Sequence, residues 1–373
     1  MGDGMIRVLH SVSNMDRAGI ETMLMNYYHH IDRDVVQFDF LVNKPKPGDY
    51  DDDIRALGGN IYLSPGLNPI HYPQYMRFVE SIVREHPDIK ILHAHNEAMA
   101  LYALNGAKKA GLKTRIAHAH NTHIIRDYKW PLKIFCKQFL AGSATEIWSC
   151  GRDAGIYYFG KKAWSERGMI MHNAIETDRF AFDERVRREM RARYGLDGKT
   201  VLGNVGRFNL QKNHTRLLDM FAAYARLDPN AMLVLIGEGE LFSPMQEKAQ
   251  KLGIADKVLF AGLQSNVNEW YQALDAFVMP SLFEGLPVVG VEAQAAGLPC
   301  VFSDAVTDEI VLSDNAIRVS LDQTDDQWAQ RIRDLLRAPA PRTDGVAIVR
   351  AAGYDIVAEA ARIQQLYLDM SKR

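Results

Sequence analysis

Two glutamates, Glu284 and Glu292, enclose a glycine and a proline in the run Ser281-Leu282-Phe283-Glu284-Gly285-Leu286-Pro287-Val288-Val289-Gly290-Val291-Glu292. Carboxylates accept hydrogen bonds from hydroxyl groups. The flanking residues predict where these two stand. Ala276-Phe277-Val278-Met279 reads as a buried strand that ends at Pro280. Leu286, Val289, Ala293 and Ala296 then recur at helical spacing, and Pro287 suits the first helical position, where its missing N–H costs nothing. Glu284 is therefore expected in a strand-to-helix turn and Glu292 about a turn and a half into the helix. Between them the helix start offers free N–H groups and a positive dipole end. An anion flanked by hydroxyl groups fits this arrangement, and a sugar nucleotide is such a molecule.

Other residues that could do chemistry follow other predicted strands. After Thr200–Val205 comes Gly206-Arg207-Phe208-Asn209-Leu210-Gln211-Lys212-Asn213-His214. Arg207 can grip a diphosphate in bidentate fashion and Lys212 can serve it as a point charge. The alternative is a solvated loop that carries two basic residues. After the first strand, Gly19 opens a helix and permits close approach of a phosphate or sugar, or simply serves the turn. In Ile116-Ala117-His118-Ala119-His120-Asn121-Thr122-His123, His118 and His120 share one strand face, and His93-Ala94-His95 ends the preceding strand. These histidines could be metal ligands, a substrate contact, or groups satisfied within the packing. Asp51-Asp52-Asp53 holds a D-x-D, able either to bind a divalent cation or to place acids at a helix start.

The elements that must position these residues alternate between apolar strand and amphipathic helix. Strands are expected at 5–12, 36–42, 89–93, 114–118, 146–149 and 168–171, then again at 200–205, 231–236, 257–261, 276–279 and 300–303. Ile20, Met23, Leu24, Tyr27, Tyr28 and Ile31 lie on one face of an early helix, and Ile356, Ala360, Ile363 and Tyr367 on one face of a late one. Helices are also expected over 75–84 and 98–110. The fold class is α/β: two doubly wound, Rossmann-like domains facing a central cleft. The boundaries are set at 1–185, 186–354 and 355–373, with the first break in the arginine-rich stretch 178–196 and the last segment a helix that closes the second domain or reaches back to the first. In doubly wound sheets ligands bind outside the carboxyl ends of the strands, here in the cleft.

The 373 residues carry a net charge of −2, which gives no global attraction to nucleic acid. Cys136, Cys150 and Cys300 form no C-x-x-C, which argues against a disulfide framework or a zinc site. No stretch reaches membrane-spanning length, and the start Met-Gly-Asp-Gly-Met lacks the features of a secretory signal, so a cytoplasmic protein is expected. Lys129, Trp130, Lys133, Phe135 and Lys137 interleave charge with aromatic surface on one predicted helix after Arg126. They offer peripheral contact with an anionic membrane, at its inner face, or form an ordinary basic solvent face.

With these residues in view, the chain resembles the retaining glycosyltransferases of family four, which have the GT-B fold. The resemblance covers nearly the whole chain. It rests on Glu284–Glu292, which matches that family's E-x(7)-E motif, on Gly206-Arg207 with Lys212, on Ile236-Gly237-Glu238-Gly239, and on His172-Asn173-Ala174-Ile175 followed by Phe180. The runs 117–122 and 150–160 are most similar to bacterial enzymes of exopolysaccharide or capsule synthesis. The resemblance implies a role for each residue in turn, with a UDP-sugar as donor. Arg207 and Lys212 would bind the donor diphosphate, Glu284 the donor-sugar hydroxyls and Glu292 the ribose. Gly206, Ser281, Gly285, Leu286 and Pro287 would line the sugar and phosphates, Gly19 would approach the donor, and Leu263 would fall beside the base. His120, or His118 two residues earlier, would contact the sugar near its reacting carbon. Ala18-Gly19 departs from the family's usual Gly-Gly. No metal and no cofactor are implied, and the partners would be a nucleotide-sugar donor and a glycan or lipid-linked acceptor. Three rivals stay open: a sugar-nucleotide epimerase, a metal-dependent hydrolase using the His-x-His pairs, and a non-catalytic sugar-nucleotide binder.

Overall fold

The computed structural model describes residues 4–44, 46–67, 71–124, 126–337 and 341–373. It divides into two compact units, one of residues 1–174 with 356–373 and one of residues 175–355. The first unit holds a parallel sheet of β1 (Ile6–Val12), β2 (Val36–Val42), β3 (Ile61–Leu63), β4 (Ile89–Ala94), β5 (Thr114–Ala119), β6 (Glu146–Ser149) and β7 (Gly168–Ile170), in the order β3-β2-β1-β4-β5-β6-β7. The second holds β8 (Thr200–Val205), β9 (Ala231–Ile236), β10 (Val258–Gly262), β11 (Ala276–Met279), β12 (Cys300–Ser303) and β13 (Ala316–Val319), in the order β10-β9-β8-β11-β12-β13. In each sheet the first strand lies inside and the order reverses beside it, at β1/β4 and at β8/β11. Such switch points leave a crevice at the strands' carboxyl ends.

Helices cover both faces of each sheet, which is why strands such as β2, β11 and β12 are buried along their whole length. In the first unit, Val8 and Leu9 point to opposite cores. Val8, Phe38 and Phe40 meet Met23, Leu24, Tyr27 and Tyr28 of the helix Gly19–His30. The same core receives Ile356, Ala360, Ile363 and Tyr367, all fully buried, from the helix Ile356–Ser371. That last helix belongs to the first unit: Tyr367 stacks on Trp148 at 5.7 Å, and Glu359 accepts from the His172 N–H at 3.1 Å.

The break at 174/175 differs from the expected 185/186, and of the two places expected for the last helix it takes the one in the first unit. The arginine-rich stretch expected as a boundary contains a helix, Glu184–Tyr194. Asp183 caps it, accepting from the N–H groups of Arg185 and Val186, and Gly195 ends it in the left-handed region. On its buried side Met190 stands beside arginines: Arg187 and Arg191 pair with Asp275 at 2.5 and 3.2 Å and donate to carbonyls of residues 272–274. A helix held by guanidinium groups shows no apolar stripe, so its sequence looks like a linker. The expected helix 98–110 is broken into a turn Glu97–Met99 and the helix Ala100–Lys109, with Glu97 at φ +50°. No helix among the described residues is long and apolar enough to cross a membrane.

Candidate active site

In the second unit the turn after β8 leads into the helix His214–Leu227. Phe208 is fully buried and stacks on His214 with centroids 4.0 Å apart, anchoring this turn in the core. Asn213, at φ +56°, donates from its side chain to Pro280 O at 3.1 Å. Gln211 O accepts from Leu282 N–H at 2.8 Å, and Gln211 Nε2 donates to Phe283 O at 3.0 Å and Glu284 Oε2 at 3.1 Å. These bonds lace the turn after β8 to the loop after β11, across the switch point. Lys212 Nζ then donates to Glu284 Oε1 at 2.7 Å, with the two side chains 16% and 9% exposed. The lysine stem passes over Gly206, where a Cβ would stand 3.3 Å from it. Arg207 is exposed on the same turn.

The neighbouring loops contribute backbone. Gly237 has φ +134°, and a Cβ there would lie 2.1 Å from Gly206 O, so only glycine lets the loop after β9 approach the turn after β8. Phe208 N–H donates to Glu238 O at 2.8 Å and Gly237 N–H to Gly262 O at 2.9 Å, continuing the row to β10. Leu263, next in the chain, is 71% exposed at the carboxyl end of β10.

The loop after β11 is buried from Glu284 to Pro287. Pro287 immediately precedes the helix Val288–Ala295 instead of opening it, because its ψ of 116° is extended. Glu292, on that helix, accepts from the Tyr271 hydroxyl at 3.0 Å. Burial pushes the Glu292 carboxyl up to about 7, against the opposing pull of Tyr271 and Arg179. Ser281 is fully buried, its carbonyl accepts from Ser303 Oγ at 2.5 Å, and its own Oγ has no hydrogen-bond partner among the described residues.

In the first unit the helix Gly19–His30 begins at Gly19, and no described residue lies within 4 Å of where a side chain at Gly19 would start. His120 follows β5 and is buried, as are His10, His93, His95 and His118. Asp51, Asp52 and Asp53 form the first turn of a short helix, and Arg55 pairs with Asp51 at 3.6 Å and with Asp52 at 3.2 Å. The D-x-D thus serves a helix start.

The model of the family "Glycosyl transferases group 1" matches residues 186–347. The Bacillus subtilis (strain 168) protein EpsF, named as a glycosyltransferase, is 34% identical over 375 residues, covering 98% of this chain and 97% of its own. The chain belongs to the group 1 glycosyltransferases. A Salmonella typhi protein named for Vi polysaccharide biosynthesis, VipC/TviE, is 34% identical over 152 residues, 38% of this chain and 26% of its own. The crystal structure of Anabaena Alr3699/HepE in complex with UDP superimposes with a TM-score of 0.80 over 98% of this chain and 100% of that one. At 15% identity this likeness speaks for the fold alone, which is GT-B. Neither the epimerase nor the hydrolase reading finds support among these relatives.

Within this glycosyltransferase, the sequence pattern located Lys212 and Glu284 without showing that they touch. It missed Gln211 and Tyr271, whose roles exist only through their partners. It also missed Glu97, at the carboxyl end of β4, whose carboxylate accepts from Asn121 Nδ2 and the Tyr158 hydroxyl, both at 2.5 Å. Burial raises the Glu97 carboxyl above its ordinary range. Its one signal, a side chain in the left-handed region, is a feature of the backbone.

Proposed function

We propose that this glycosyltransferase moves a sugar from a UDP-sugar to a glycan or lipid-linked acceptor of cell-surface polysaccharide, with retention of configuration and without a metal ion. The carrying observation is the Lys212–Glu284 pair, held by Gln211 at the β8/β11 switch point. Arg207, Lys212 and the helix start at Val288 bind the diphosphate, with Gly206, Ser281, Gly285, Leu286 and Pro287 beside it. Glu284 takes the sugar hydroxyls, Glu292 the ribose and Leu263 the base. In the first unit, Gly19 approaches the donor and His120 contacts its sugar. The UDP bound by HepE supports the choice of base, and the polysaccharide role of VipC/TviE supports the class of product.

The bond from the anomeric carbon to the β-phosphate breaks, and the acceptor oxygen bonds to that carbon on the same face. The acceptor's proton passes to an oxygen of the departing phosphate. Both Glu284 oxygens already accept hydrogen bonds, which supports a holding role over that of a covalent nucleophile.

Glu292 gives a pH prediction. Ribose hydroxyls donate into its carboxylate, so binding favours the charged form and affinity rises as pH climbs through about 7. UDP titrated calorimetrically at pH 6 and pH 8 should bind more tightly at the higher pH. The nucleotide's own phosphate also ionises in this range, so the decisive comparison is Glu292→Gln, which should flatten the dependence. An equal slope in the variant removes the ribose assignment.

A membrane-facing acceptor finds support on the helix Trp130–Ser143 and the turn before it. Tyr128, Phe135 and Phe139 are 85%, 59% and 52% exposed, beside Arg126, Lys129 and Lys133. Aromatic groups amid cations suit an anionic lipid surface. Sedimentation with anionic vesicles should show salt-sensitive binding, weakened roughly tenfold by Phe135→Ser with Phe139→Ser. Equal recovery with neutral vesicles, or none with either, rules this surface out.

A further inference from the structure

Five buried histidines stand together in the first unit. His10 lies on β1, His93 on β4 and His118 on β5, neighbouring strands of the sheet, while His95 and His120 follow β4 and β5. Their rings are arranged in two rows. In one, His10 Nδ1 is 3.0 Å from His95 Nε2, and His95 Nδ1 is 2.9 Å from His120 Nε2. In the other, Tyr367 Oη is 2.7 Å from His93 Nδ1, and His93 Nε2 is 3.0 Å from His118 Nδ1.

We propose that His10 and His95 are positioning residues that hold His120 in one orientation and in the tautomer protonated on Nδ1. This rests on the reading of His120 as a contact of the donor sugar. A neutral imidazole has one N–H and one lone pair, so a head-to-tail row can run in only two directions. The buried end decides between them. His10 Nε2 has no hydrogen-bond partner among the described residues, and the His10 ring lies against those of Phe38 and Phe40, with centroids at 4.2 and 5.7 Å. A proton there would be a buried donor with no acceptor, the rarer kind of unsatisfied group. His10 therefore keeps its proton on Nδ1 and donates to His95 Nε2. His95 then donates from Nδ1 to His120 Nε2, and the remaining proton of His120 sits on Nδ1. The consequence is that His120 offers a donor, not a lone pair, to a sugar oxygen.

Burial pushes both His10 and His120 down to about 3, so the row stays neutral at physiological pH and its direction, not its charge, is what is fixed. Two sets, His10 with His93 and His95, and His95 with His118 and His120, have ring nitrogens within 4.8 Å of one another, close enough to hold a metal ion. A zinc ion needs each lone pair aimed at a common point about 2.0–2.1 Å away. Here three couples of ring nitrogens, His10 with His95, His95 with His120 and His93 with His118, stand 2.9 to 3.0 Å apart, which leaves room for a proton.

The test uses the full chain with nitrogen-15 in its histidines. Long-range proton–nitrogen correlation should show His120 with Nδ1 protonated and Nε2 bare. His95→Leu should lower kcat by about tenfold, the loss expected for one hydrogen bond in a dry site, with donor KM little changed and both His120 tautomers visible. His95→Gln, which can still donate and accept, should recover part of that loss. His10→Leu should also mix the tautomers, and it stands in should His95→Leu fail to fold. His120 protonated on Nε2 in the parent protein, stoichiometric metal in the protein as isolated, or an unchanged kcat in His95→Leu would each overturn the proposal. Unchanged turnover in His120→Ala defeats the reading of His120 as a sugar contact, and the spectrum of the parent protein judges the row separately.

Discussion

Replacing Lys212 with alanine is expected to cut turnover of the nucleotide sugar by roughly two to three orders of magnitude. Departure of the nucleoside diphosphate builds negative charge on the β-phosphate. Lys212, whose side chain is 16% exposed, has its ammonium already fixed at the carboxyl end of β8 by Glu284 and by its stem over Gly206. A charge preorganised in a dry site is worth about 3 kcal/mol at the transition state, which is more than a hundredfold in rate. Arg207→Ala should cost a similar factor. Arg207→Lys should restore only part of it, because a point charge cannot reproduce a bidentate grip. Both positions line a turn whose fold depends on Phe208, Gln211 and Asn213, so melting temperatures should hold while steady-state and single-turnover nucleotide release fall together. Near-normal rates in both alanine variants would sink the assignment.

How much of this was legible in the chain follows from which interactions are local. Six strands, 36–42, 146–149, 200–205, 231–236, 276–279 and 300–303, are found at their expected limits, since buried strands write runs rich in apolar residues. β3 and β13 escaped because three or four residues at a sheet edge carry too little pattern, and Arg318 breaks the second. The helix Glu184–Tyr194 escaped because arginines join the lone buried Met190 in facing its neighbours. The same limit applies at the site. Glu284 and Lys212 were legible as types at strand ends, but their contact spans 72 residues of chain and needed Gln211 to hold it. The histidine rows show the other extreme. His93, His95, His118 and His120 stand out as pairs, yet His10, alone on β1, carries no local signal and joins them only through the β1/β4 register, in which it stands opposite His93.

The second large effect is expected at Glu284. Glu284→Ala should lower turnover by roughly a hundredfold or more, since it removes the acceptor proposed for the sugar hydroxyls and frees Lys212 from its hydrogen-bonded position. Glu284→Gln keeps the shape and one acceptor oxygen but loses the charge that holds the ammonium, so it should fall between the parent and the alanine variant. The two residues act as a unit, and Lys212→Ala with Glu284→Ala should be little worse than the poorer single variant. Fully additive losses would mean that the 2.7 Å contact is incidental to catalysis. The alanine variant also tests the chemistry itself. Were Glu284 a covalent nucleophile, azide in its place would restore turnover and yield a glycosyl azide of inverted configuration, and the parent protein would carry a glycosyl adduct on this residue visible by mass spectrometry. Front-face departure predicts neither, because the phosphate that leaves is also the base that takes the acceptor's proton.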